Sequence, residues 1–219
     1  MVHVLITGGE SGLGLSLTRV FTGAGNSVAV LCRESSPALD ALAPDIHAGV
    51  DVANAAAVYR AAAEMGDTAI DVLINNAGIM IEDDIDRIDI GAVRLQFEVN
   101  ALGPLSIALA FRKRLRRGSK VINISSRLGS IGDNESGDDF GYRMSKAAQN
   151  MLTSNLAIEL AKEDVLVAAL HPGIVATGMT GGKGTPADEV AIDLKAVIDQ
   201  LDSAQSGRFL DRSGAQIPW

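Results

Sequence analysis

The segment from Val2 to Gly14, VHVLITGGESGLG, decides how the rest of the chain reads. Val2, Val4, Leu5 and Ile6 form a short apolar run without charge, the pattern of a strand buried on both faces of a parallel sheet. Thr7 closes the run. Gly8, Gly9, Gly12 and Gly14 follow, with Glu10, Ser11 and Leu13 among them. Glycine at this density suits a backbone that turns tightly and lets another group approach closely. Feeding a helix, such a turn aims unpaired N–H groups and the positive end of the helix dipole at one point, which attracts phosphate. The strict G-x-G-x-x-G spacing is absent, because Leu17 stands where its last glycine would fall. A plain strand-to-helix turn without a ligand is therefore the alternative reading of this stretch.

The 219 residues are enough for a sizeable core, and no Pro/Gly/Ser-rich linker divides them, so one domain is expected over residues 1–219. Hydrophobic residues make up 47% of the chain, too many for disorder. No apolar run reaches the ~18 residues of a membrane span, and a chain that opens directly into a strand leaves no room for a signal peptide. The single cysteine, Cys32, fits a reducing compartment, so a cytoplasmic location and no membrane partner are expected. A net charge of -8 argues against nucleic acid. The one basic cluster, Arg112 to Arg117, reads as cations at a helix C-terminus.

Strand and helix patterns alternate almost to the end. Strands are expected at the start, at 27–32, 46–50, 71–74, 120–124, 165–170 and 208–210. Helices are expected after the glycine turn and at 38–42, 54–65, 90–116, 142–163 and 187–201. This predicts an α/β fold: a single doubly wound, Rossmann-type parallel sheet with helices on both faces. Ligands bind such sheets beyond the carboxyl ends of the strands. Thr7-Gly8, Cys32-Arg33, Asp51, Asn75 to Gly78, Ser125-Ser126 and His171-Pro172-Gly173 all fall at those ends, which favours one extended site. Tyr142 and Lys146, four residues apart in GYRMSKAAQN, project from one helix face. A cation near a phenol favours its ionised form and suits it to exchange protons near neutral pH. The alternative is an ordinary Tyr and Lys on an exposed helix face.

Together these residues resemble the short-chain dehydrogenase/reductase family. Its phosphate turn TGxxxGxG is matched by Thr7, Gly8, Gly12 and Gly14, its NNAG by Asn75 to Gly78, its YxxxK by Tyr142 and Lys146, and its PGxxxT by Pro172, Gly173 and Thr177. The resemblance implies that Tyr142 is the general acid/base, that Lys146 holds the nicotinamide ribose and keeps the Tyr142 pKa low, and that Ser126 orients the substrate oxygen, with Ser125 as the competing candidate. It implies that Asn100, in EVNALGP, anchors a proton-relaying water. Pro104, which has no N–H, independently predicts a freed Asn100 carbonyl and a kink. The implied cofactor contacts comprise Gly8, Glu10, Ser11, Gly12, Leu13, Gly14, Arg33, Asp51, Val52, Asn75, Ala77, Gly78, Tyr142, Lys146, Pro172, Gly173, Ile174 and Thr177; Asp51 reads alternatively as a helix N-cap.

NAD-preferring members of the family place an acid where this chain has Cys32. Here Arg33 follows, able to clamp a 2′-phosphate, so NADP(H) is expected over NAD(H). Glu34, Glu10 and Ser11 are the features that oppose that choice. The insertion GDNESGDDF carries Asp133, Glu135, Asp138 and Asp139, either bordering the cleft and disfavouring anionic substrates or forming a solvated loop. A short lid region after Thr177 suggests a shallow, permissive pocket. The runs ISSRLGSIGDN and GRFLDRSGAQIPW look most like the C-factor and sniffer-type carbonyl reductases of this family, implying a neutral ketone, aldehyde or quinone substrate. Signalling or cofactor sensing with little turnover is the alternative, disfavoured by the presence of Asn100, Ser126, Tyr142 and Lys146 together. Pairing through the two long helices into a homodimer or homotetramer is expected.

Overall fold

A computed structural model describes residues 1–42 and 44–219. Its elements alternate along the chain: β1 (His3–Thr7), α1 (Gly12–Gly23), β2 (Ser27–Leu31), α2 (Pro37–Asp40), β3 (Asp45–His47), α3 (Ala55–Glu64), β4 (Ile70–Asn75), α4 (Ile90–Phe97), α5 (Gly103–Phe111), β5 (Leu115–Ile124), α6 (Phe140–Leu160), β6 (Leu166–His171), β7 (Val175–Ala176), β8 (Thr185–Pro186), α7 (Ala187–Gln200) and β9 (Arg208–Asp211). Seven strands form one sheet in the order β3-β2-β1-β4-β5-β6-β9, and β7 pairs with β8 apart from it. Every pairing in the main sheet is parallel. The expected doubly wound sheet is thus present, and its order reverses between β1 and β4, which opens a crevice at the carboxyl ends of these neighbours.

Both sheet faces are apolar because successive side chains point to opposite sides. Val4 and Ile6 pack with Leu17, Phe21, Leu194 and Val197 of α1 and α7. Leu5, between them, packs on the other face with Val58, Ile107, Phe111 and Leu160 of α3, α5 and α6.

One expectation is corrected here. The helix expected over 90–116 ends at Phe111, and the following strand starts at Leu115, not Lys120. Tertiary contacts override the helical tendency of the basic run. Arg114 is buried, donates through Nε to the Thr68 carbonyl at 2.8 Å, and lays its guanidinium 5.1 Å from the Phe111 ring centre. The β5 ladder opposite β4 is irregular between Ile70 and Val72, and Ser119 Oγ donates to the Ile70 carbonyl at 2.7 Å. The basic cluster also does more than end a helix, since Arg112 pairs with Glu163 and Arg117 with Asp164. Pro104 is accommodated locally. The chain absorbs its missing donor through a π-helical segment, Glu98–Leu102, in which the Gly103 N–H reaches back to the Glu98 carbonyl.

Candidate active site

A cleft of about 1270 Å³ lies along the carboxyl ends of the central strands. At one end is the turn between β1 and α1. Gly8 has φ +68°, and a Cβ on Gly14 would lie 1.9 Å from the Gly8 carbonyl oxygen, so only a chain bare at that position closes this turn. Asn76 fixes it from the β4 side: Nδ2 donates to the carbonyls of Thr7 and Gly8, each at 3.0 Å, and the Asn76 N–H donates to Thr7 Oγ1 at 3.1 Å. Ser11, at the N-cap of α1, makes no side-chain cap. The N–H groups of Gly12, Leu13 and Gly14 therefore have no acceptor among the described residues and face the cleft. Free donors at a helix N-terminus fit the pyrophosphate of a dinucleotide.

Farther along, Arg33, Asp51 and Val52 line the same cleft. Arg33 is exposed and has no ion-pair partner among the described residues. Glu10 Oε2 is buried without a hydrogen-bond partner. The charges of Glu10 and Asp40 add to burial in pushing the Cys32 thiol up to about 11. Asp51 does not cap α3. Its Oδ1 accepts the Ala53 N–H at 2.9 Å, and Asn54 caps the helix by accepting the Ala57 N–H at 3.2 Å.

At the other end, α6 brings Tyr142 and Lys146 to the cleft opposite Ser125 and Ser126 of the β5 end. Ser125 Oγ donates to Asn150 Oδ1 at 2.6 Å in a buried pair. Ser126, whose Oγ accepts the Leu128 N–H at 3.2 Å, is the serine near enough to the Tyr142 phenol to favour its ionised form. Burial nevertheless dominates and pushes Tyr142 up to about 12. Lys146 is wholly buried, which brings its ammonium down to about 7. Nζ donates to the Ile124 carbonyl at 2.8 Å and to Gln149 Oε1 at 2.9 Å, and lies 5.8 Å from the Tyr142 ring centre. The expectation that Lys146 keeps the phenol's pKa low is therefore corrected: burial dominates at Tyr142, and the ammonium is turned toward two neutral acceptors.

The structure brings together Gly8, Glu10, Ser11, Gly12, Leu13, Gly14, Arg33, Asp51, Val52, Ala77, Gly78, Ser126, Tyr142, Lys146, Pro172, Gly173, Ile174 and Thr177 on one cleft. Two candidates lie off its lining. Asn75 is buried within the sheet, where Nδ2 donates to Asn123 Oδ1 at 2.8 Å; its neighbour Asn76 is the asparagine that lines the cleft. Asn100 is buried behind the lining, exchanging hydrogen bonds of 2.9 and 2.8 Å with the backbone of Ile79 and donating to Ser145 Oγ at 3.0 Å. A Cβ on Gly78 would come 3.2 Å from Asn100 Oδ1 and 3.6 Å from Lys146 Nζ, so both side chains converge on this glycine.

Sequence reasoning named Asn76 and His171 only as residues at strand ends, without a role of their own, and missed Gln149. The imidazole of His171 lines the cleft and accepts the Arg127 N–H at 3.2 Å; burial, with Arg127 adding to it, pushes its pKa down to about 4. Of the acidic insertion, Asp133 and Glu135 line the cleft, while Arg143 binds Asp138 and Ser136. Met80, Leu95, Val99 and Met179 supply an apolar wall. Among the described residues no helix is long and apolar enough to cross a membrane, and no cluster of His, Cys, Asp and Glu is arranged to hold a metal ion.

The family model for short chain dehydrogenase matches residues 2–187. The 1-hydroxy-2-glutathionyl-2-methyl-3-butene dehydrogenase of Rhodococcus sp. (strain AD45) is 36% identical over 228 residues, covering 100% of both chains. C-signal of Myxococcus xanthus is 40% identical over 157 residues, 68% of this chain and 93% of that protein. Among solved structures, NADPH-bound carbonyl reductase from chicken fatty liver superposes with a TM-score of 0.89 at 30% identity, over 99% of this chain and 98% of that one.

Proposed function

Because the chain belongs to the short-chain dehydrogenase/reductase family of oxidoreductases, we propose that it catalyses NADP(H)-dependent interconversion of a neutral carbonyl compound and its alcohol. One observation carries this reading: Ser126, Tyr142 and Lys146 share a cleft with an uncapped helix N-terminus. The cofactor supplies or accepts the hydride when bound. The N–H groups of Gly12, Leu13 and Gly14 would hold its pyrophosphate, Arg33 would pair with its 2′-phosphate, and Lys146 would bind its ribose hydroxyls. Ser126 orients the substrate oxygen, and Tyr142 donates the proton to that oxygen or withdraws it in the reverse direction. Asn100 fixes the backbone at Ile79 and anchors the proton path to Lys146. The apolar wall together with the carboxylates of Glu135 and Asp133 favours ketones, aldehydes or quinones without negative charge.

The test is to follow absorbance of the reduced cofactor with NADPH or NADH and a panel of neutral carbonyls and quinones. Turnover with NADPH, and an Arg33→Ala variant that weakens NADPH much more than NADH, are expected. Equal losses for both cofactors refute the phosphate clamp. One observation favours NADH instead: the buried, unpartnered Oε2 of Glu10, an acceptor suited to a ribose hydroxyl. Glu10→Gln separates the two readings, since it strengthens NADPH binding if Glu10 repels phosphate and weakens NADH binding if Glu10 holds the hydroxyl.

The similarity to C-signal raises signalling as a second reading, which Tyr142→Phe tests, because a signal without turnover survives that change. A homodimer is the proposed assembly. Leu95, Leu102 and Leu109, and on α6 Met144, Met151 and Ile158, are exposed at seven-residue intervals, two apolar stripes suited to a second copy.

A further inference from the structure

Between the cleft and α4, the chain after Gly78 is held at every second residue. Asn100 Oδ1 accepts the Ile79 N–H at 2.9 Å, and its Nδ2 donates to the Ile79 carbonyl at 2.8 Å. One helical turn earlier, Gln96 repeats this at Ile81: Oε1 accepts the N–H at 3.0 Å and Nε2 donates to the carbonyl at 3.3 Å. Gln96 is fully buried, so both of its bonds exchange against protein and not water. Two residues on, Asp83 leaves this ladder and reaches α6. Its Oδ1 accepts the Phe140 N–H at 2.6 Å, its Oδ2 the Gly141 N–H at 3.0 Å, and its carbonyl the Asp139 N–H at 3.0 Å. Asp139, which occupies the N-cap position of α6, has φ 51° and makes no side-chain cap. The first N–H groups of the helix would otherwise lack partners. Gly141 closes the arrangement, since a Cβ there would stand 2.4 Å from Gln96 Nε2. Tyr142 is the next residue.

We propose that Gln96 and Asp83 are positioning residues for Tyr142: an amide ladder on α4 sets the 79–83 segment, and the Asp83 carboxylate, capping α6 from a distant loop, fixes the helix turn from which the phenol projects. This rests on the reading of Tyr142 as general acid/base. A carboxylate cap at a helix N-terminus is favoured both by hydrogen bonding and by the helix dipole. Displacing a reacting group by about 1 Å is enough to cost about 100-fold in rate, so this cap acts on turnover and not only on folding.

The experiment compares wild type with Asp83→Ala, Asp83→Asn and Gln96→Leu, and with Asp84→Asn as a control on the same loop, where Asp84 pairs with Arg87 at the surface. Three readouts are taken: kcat and KM for a carbonyl substrate, Kd for NADPH, and amide hydrogen exchange at Phe140 and Gly141. Asp83→Ala should lower kcat about 10- to 100-fold, with NADPH affinity within about threefold of wild type and faster exchange at the two amides. Asp83→Asn, which keeps one acceptor oxygen, should fall between Asp83→Ala and wild type, and the control should change nothing. Unchanged kcat, or equal losses in kcat and NADPH affinity, overturns the positioning role. Should the wild type reduce no carbonyl, the Tyr142 reading fails on its own; exchange then decides the cap, faster exchange at Phe140 and Gly141 supporting it and unchanged exchange refuting it. If Asp83→Ala fails to fold, Asp83→Asn carries the same comparison.

Discussion

Replacing Lys146 with methionine should remove a pH dependence from the stability of the fold. The ammonium is entirely buried, has only the Ile124 carbonyl and Gln149 Oε1 as partners, and loses its proton near 7 in place of the ordinary 10.5. Between those values the unfolded chain holds a proton that the folded chain lacks, so stability rises with pH across this window. Each pH unit is worth about 1.4 kcal/mol, and the folded protein at pH 7 therefore carries a penalty of about 4 kcal/mol that vanishes near 10.5. Methionine removes the titration but strands two acceptors, at about 1–3 kcal/mol each. The absolute difference at pH 7 is thus smaller than the penalty, whereas the difference in slope is not affected. Urea denaturation of both proteins at half-unit steps from pH 7 to 10 measures it. Wild type should gain on Lys146→Met by about 0.7 kcal/mol per unit at pH 7, by close to 1.4 above about pH 8, and level off toward 10.5. Parallel curves would show that Lys146 keeps its ordinary pKa and would refute the buried, carboxylate-free environment from which the reasoning starts.

Three further outcomes are expected. Ser126→Ala should lower kcat/KM by about 100-fold, far more than Ser125→Ala, whose hydroxyl is already committed to Asn150; assays on one carbonyl substrate rank them, and the reverse order would move the substrate contact to Ser125. Gly14→Ala should lower both thermal stability and NADPH affinity, the latter by about tenfold or more, because its Cβ would overlap the Gly8 carbonyl; dinucleotide fluorescence titration checks this, and unaltered affinity would sink the phosphate cradle. His171→Asn should flatten the acid limb of stability. With its pKa down to about 4, His171 resists protonation in the fold while the unfolded chain takes up the proton near 6.5, so stability falls by at most about 3 kcal/mol as pH drops from 6.5 toward 4; denaturation midpoints between pH 4 and 7 read it.

Periodicity and turn chemistry made the sheet legible, because β1, β4, β5 and β6 are buried on both faces and their apolar runs stand apart from the helices between them. The end of α5 was not legible. Arg112 to Arg117 is good helix sequence, yet α5 gives way to a 3-10 turn at Arg112–Arg114 and a strand from Leu115, where Arg114 is buried against Thr68 and Phe111. The NNAG run named the right neighbourhood and could not say which asparagine faces the cleft, since that depends on the pleat: Asn75 falls on the side of Asn123, and Asn76 turns back to Thr7 and Gly8. Tyr142 and Lys146 were visible from their spacing. The acceptor for Lys146 lies three residues on, where Gln149 occupies the same helix face. Gln96, one turn before Asn100, carried the same kind of signal.

The central claim is that Tyr142 moves the proton in a cleft that the dinucleotide occupies independently of it. The most direct measurement sets NADPH binding beside single-turnover carbonyl reduction in Tyr142→Phe. NADPH affinity close to wild type with reduction slowed by about 1,000-fold or more is the predicted result. Reduction at the wild-type rate, or loss of NADPH binding together with activity, would contradict it.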